Sequence, residues 1–134
     1  MDIVLQTHTN EQYLALLNVE RFGDGSGFCS QLVVRSYGFA GRQRLCVEVE
    51  PFRDFAEAVE RMDRDLEGTA RLQSRYEPEH MELELTPAGS LWVRGELRGF
   101  VDEPQSLKFA FRTDQTCLRT FAENLRACFD LAAA

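Results

Sequence analysis

A chain of 134 residues, 44% apolar and 28% charged, has the length and composition of one globular domain that buries a core without staples. Its formal charge of −7 argues against nucleic acid or an anionic membrane as the partner, and no run of about 18 apolar residues exists to span a bilayer. The start, Met1 to His8, has no basic segment leading into a long apolar stretch, so no secretory signal and a cytoplasmic location are expected.

Residues 3–6 offer a short extra strand. Residues 13–22 are rich in apolar side chains along their whole length, which suits a strand covered on both faces. Gly23-Asp24-Gly25-Ser26-Gly27 then reads as a long hairpin loop. Over residues 28–37, Phe28, Leu32 and Val34 oppose Gln31 and Arg35. After the turn Gly38 to Gly41, Gln43, Leu45, Val47 and Val49 oppose Arg42, Arg44, Cys46 and Glu48. The period then becomes helical. Phe52, Phe55, Ala56, Val59, Met62 and Leu66 fall within an arc of about 120° at about 100° per residue. Pro51 suits the first turn, and Gly68 stands where a left-handed cap is expected.

Strands resume with Ala70, Leu72, Ser74 and Tyr76 opposing Arg71, Gln73 and Arg75. Met81, Leu83 and Leu85 next oppose Glu82 and Glu84. Leu91, Val93, Leu97 and Val101 oppose Trp92, Arg94, Glu96 and Arg98, and Leu107, Phe109 and Phe111 oppose Lys108 and Arg112. A second helix, near 115–130, takes Asp114 as N-cap and buries Leu118, Phe121, Ala122, Leu125 and Phe129. The order β-β-β-α-β-β-β-β-α makes residues 1–134 a single α+β domain. Its mostly antiparallel sheet, of six to eight strands, carries two helices packed on one face.

The helix near 51–67 holds the charge imbalance. From Glu48 to Glu67 there are eight acids against three arginines, −5 of the total −7. A solvated face accounts for such a helix, and so does contact with something basic. Asp63 sits at the margin of the apolar arc, which suits either a place near the frayed helix end or an arginine partner. Glu82, Glu84 and Glu96 share a sheet face with Arg71, Arg75, Arg94 and Arg98, a pattern of cross-strand pairing and not of acid–base catalysis. Trp92 among arginines is a stacking residue or an interface anchor.

His80, beside Glu79, Glu82 and Glu84, reads as a turn histidine, and His8 lies near the N-terminus. No metal-ligand spacing occurs, so neither metal nor cofactor is expected. No GxSxG is present, and the glycine cluster joins strand to strand, which suits neither a nucleophile elbow nor a phosphate cradle. Cysteines 29, 46, 117 and 128 lack CxxC spacing and read as reduced core fillers, their even count leaving a disulfide framework as the alternative.

Several segments together carry a family pattern. Ser36-Tyr37-Gly38-Phe39-Ala40-Gly41 precedes a strand, Pro51-Phe52-Arg53-Asp54-Phe55 opens a helix ending at Leu66-Glu67-Gly68, and Ala70-x-Leu72 and the Leu83/Leu85 strand follow. Gly89-Ser90-Leu91-Trp92-Val93-Arg94-Gly95 and Asp114-Gln115-Thr116-Cys117-Leu118-Arg119-Thr120-Phe121 complete it. Over residues 13–130 this resembles the WapI-type bacterial immunity proteins. The resemblance implies a cytosolic antitoxin, not an enzyme, which binds the toxic domain of a contact-delivered toxin, often a nuclease. It marks the fold and carries no site residues. The residues themselves nominate Asp54, Glu57, Glu60, Asp65, Trp92 and Arg94 for the toxin-binding surface, with no catalytic residue and the oligomeric state open. A small-anion-binding or enzymatic domain using the sheet face around Trp92 and Arg94 is the alternative.

Overall fold

The computed structural model describes residues 1–100 and 102–133; Val101, placed above on the apolar side of its strand, lies outside the described residues. Eight strands and two helices appear in the expected order: β1 (Ile3–Leu5), β2 (Gln12–Arg21), β3 (Gly27–Ser36), β4 (Phe39–Glu48), α1 (Val49–Asp65), β5 (Gly68–Gln73), β6 (His80–Leu85), β7 (Ser90–Phe100), β8 (Pro104–Asp114) and α2 (Leu118–Ala133). A 3-10 turn, Gln115–Cys117, leads into α2.

The strands divide into two four-stranded antiparallel sheets, β1-β2-β3-β4 and β5-β6-β7-β8, where a single sheet was expected. Helix α1 carries the chain from the first to the second. Across the junction, side chains replace the backbone ladder. Gln12 Nε2 donates to the Arg112 carbonyl at 3.0 Å, and Ser36 Oγ donates to the Ala110 carbonyl at 3.3 Å. These carbonyls lie on β8, an edge strand of the second sheet, so the bonds occupy backbone groups that an edge otherwise leaves open. Gly41 allows the close approach. A Cβ there would stand 2.8 Å from Leu107 and 2.9 Å from Leu97.

One core runs beneath both sheets. Phe52, Phe55 and Val59 of α1 join Leu83, Val93, Phe109 and Phe111 of the second sheet, with Phe121 and Leu125 of α2; all are buried, as the two periodicities require. Phe28 stacks on Phe52 with centroids 4.5 Å apart, and Phe55 meets Phe121 edge-on at 6.4 Å. On the other face of the central strand β2, Ala15 is buried between its register neighbours Val4 and Val33. Tyr76 departs from its alternation and is 83% exposed, because β5 ends at Gln73.

Two further details differ from expectation. The left-handed residue ending α1 is Leu66 (φ 61°), whose N–H donates to the Met62 carbonyl, while Gly68 opens β5. The cysteines are also not all reduced. The turn at Tyr37-Gly38 pairs Ser36 with Phe39, which brings Cys29 opposite Cys46, and these two form a disulfide with Cα atoms 4.1 Å apart. Hairpin register, invisible in a spacing of 17 residues, decides this. Cys117 and Cys128 remain buried free thiols.

Candidate partner-binding surface

With Phe52, Phe55, Ala56, Val59 and Met62 facing the core, α1 turns its charges outward, and the surrounding elements sort them. Glu48, at the helix start, accepts from Ser74 Oγ at 3.0 Å and from the Arg75 N–H at 3.2 Å. Glu50 pairs with Arg75 at 2.6 Å. Farther along, Glu60 accepts from Arg126 at 2.6 Å, which holds that guanidinium more firmly charged, and Asp63 lies 3.6 Å from Arg119. Of the two readings open for Asp63 the arginine partner is the one found, and Glu60 belongs to the seam between α1 and α2.

What remains outward is narrower than the whole acidic segment. Asp54 is exposed and Glu57 half-buried, and neither makes an ion pair among the described residues. Asp65 is exposed and, among the described residues, pairs only with its chain neighbour Arg64, at 3.0 Å. Exposed pairs of this kind contribute little to stability and leave the carboxylates free to exchange partners.

Trp92 and Arg94 lie elsewhere. Leu91 and Val93 point into the core, so Trp92 and Arg94 project from the opposite side of β7, away from α1. Trp92 is half-buried between Arg94 and Arg112, whose guanidinium carbons stand 5.8 and 5.6 Å from its ring centroid. Arg94 is also paired with Glu84 and, at 3.5 Å, with Glu82. Two glutamates neutralise Arg94, while Arg112, on the same ring, makes no ion pair among the described residues. Glu96, hydrogen-bonded by Arg98 at 2.6 Å, has its carboxyl held below the usual range. Cross-strand pairing is thus present for Arg94 with Glu82 and Glu84 and, at 3.3 Å, for Arg71 with Glu82, whereas Glu96 and Arg98 lie on one strand and Arg75, beyond β5, pairs with Glu50 instead.

His80 is not a turn residue: it opens β6, paired with Gln73 and Glu96, with its Nδ1 3.1 Å from the Pro78 carbonyl. His8 does not stay isolated. Its Nε2 lies 2.7 Å from Asp114 Oδ2 and 3.9 Å from Cys117 Sγ. A nucleophile relay needs the acid and the thiol on opposite ring nitrogens, and here both face Nε2. The cluster was missed because His8 and Cys117 are 109 residues apart, and Asp114-x-x-Cys117 alone is no motif.

Residues 6–132 match the immunity protein WapI-like family, nearly the full length described. No curated protein matches the chain.

Proposed function

The chain belongs to the WapI-like immunity protein family, and from that premise we propose that it binds the toxic domain of a cognate contact-delivered toxin in the cytoplasm and blocks it without catalysis. The observation that carries the choice of surface is the sorting of charge on α1. Glu48, Glu50, Glu60 and Asp63 are engaged with other elements, while the exposed Asp54 and Asp65 and the half-buried Glu57, with the exposed Arg61 among them, pair with no other element among the described residues and form the outward strip of α1. A nuclease that grips phosphates presents basic groups, and a strip of carboxylates on a rigid helix competes for them as a phosphate backbone does. Opposite charge on the two surfaces also speeds encounter with a basic partner, which an antidote needs.

The test is protection of cells expressing the toxin domain. The variant Asp54→Lys, Glu57→Lys, Asp65→Lys should fold normally, because these charges contribute little to folding, and should lose most of its protection. Full protection by a folded variant would remove the acidic strip as the interface and direct attention to the face around Trp92 and Arg94.

A further inference from the structure

We propose that His8, Asp114 and Cys117 form a binding site for one zinc ion, clasping the loop between β1 and β2 to the junction of β8 with α2. The three ligand atoms lie within 4.8 Å of one another. Zinc bonds of about 2.0–2.3 Å in a tetrahedron put ligand atoms roughly 3.3–3.8 Å apart. The observed 2.7 Å from His8 Nε2 to Asp114 Oδ2 and 3.9 Å to Cys117 Sγ straddle that range. Shifts of about 1 Å or less complete the geometry, and His8, on a loop with its side chain 63% exposed, is free to make them.

The surroundings suit ligation. Asp114 uses its other oxygen, Oδ1, to accept from the Thr116 N–H at 2.9 Å and from the Thr116 hydroxyl, which fixes the plane of the carboxylate and leaves Oδ2 for a metal. Cys117 is buried, and Thr113 Oγ1 lies 3.3 Å from its sulfur, placed to donate to a thiolate. Without an ion, His8 Nε2 faces Asp114, Cys117 and, at 3.2 Å, the Thr116 hydroxyl, and one nitrogen serves only one of them well. A cation with its own coordination sphere takes nitrogen, oxygen and sulfur together, with Thr116 or water in the fourth place. The mixed donor set favours zinc over calcium or magnesium, which prefer oxygen alone. Binding releases the Cys117 proton to solvent.

The experiment uses the purified chain with its disulfide intact, stripped by chelator and titrated with Co2+ and then Zn2+. One equivalent of Co2+ should bind with a thiolate-to-cobalt absorption band, and Zn2+ should displace it and raise the melting temperature. His8→Ala, at an exposed position that leaves the fold intact, should weaken binding at least about tenfold. Cys117→Ser should abolish the band, and Cys128→Ser should keep it. Absence of the band in the parent, or a band of unchanged strength in His8→Ala or Cys117→Ser, would overturn the assignment.

Discussion

Glu48 shows how one carboxylate joins two parts of the chain. It occupies the N-cap position of α1 without capping the helix, and reaches instead to Ser74 and Arg75 beyond β5. Burial opposes its ionisation, yet hydrogen bonds from its own backbone N–H, from Ser74 and from Arg75 outweigh that and hold its carboxyl below the ordinary 4.5. A depressed carboxyl stabilises the fold above its unfolded value and loses that contribution as pH falls through its folded value. Glu48→Gln should therefore cost about 1 kcal/mol at neutral pH, and the cost should shrink below about pH 4. Urea denaturation of both proteins at pH 7 and pH 3.5 checks this. An equal loss at both values would show that the charge is not what stabilises the contact. Among the described residues Ser74 is one of three buried polar residues, with Gln12 and Ser36, and each bonds to another element.

At the level of elements, the end of α1 and the β3–β4 hairpin make separate predictions. Leu66 adopts a left-handed conformation that costs an L-residue roughly 1–2 kcal/mol, and at 49% exposure little burial offsets it. Leu66→Gly should raise stability by roughly 0.5–1 kcal/mol, the strain relieved less the extra freedom glycine has when unfolded. A loss of stability in urea would show that its partial burial dominates. For the hairpin, denatured non-reduced protein should titrate two thiols, from Cys117 and Cys128, and the Cys29→Ser, Cys46→Ser pair should cost about 3 kcal/mol for the loop it opens. Four titrating thiols would contradict the pairing. Element order and core were legible because alternation and helical period mark them directly, as Leu83 and Val93 or Phe52 and Phe55 do. The division into two sheets was not, since Gln12 meets Arg112 across 100 residues and no local pattern announces it. The outward aim of Asp54 and Glu57 followed from periodicity. Pairing of Glu60 with Arg126 did not, because its partner comes from the other helix, 66 residues away.

For the whole molecule, a continuous core beneath two sheets gives a rigid platform, and α1, packed against α2 and both sheets, is held in place by it. The net charge of −7 is therefore presented in part on a fixed face and not spread over mobile segments. A rigid charged face is what electrostatic steering requires: preorganised carboxylates lose little entropy on binding and attract a basic domain from beyond contact distance. We propose that the inhibitory contact with the toxin domain is made by the strip of Asp54, Glu57 and Asp65. The most direct measurement is the stopped-flow association rate of the chain with its toxin domain across a range of salt. The parent should associate fast at low salt and slow steeply as salt rises, and the Asp54→Lys, Glu57→Lys, Asp65→Lys variant should associate at least about tenfold more slowly at low salt, with the difference closing as the field is screened. Equal rates and equal salt slopes for the two proteins would contradict it.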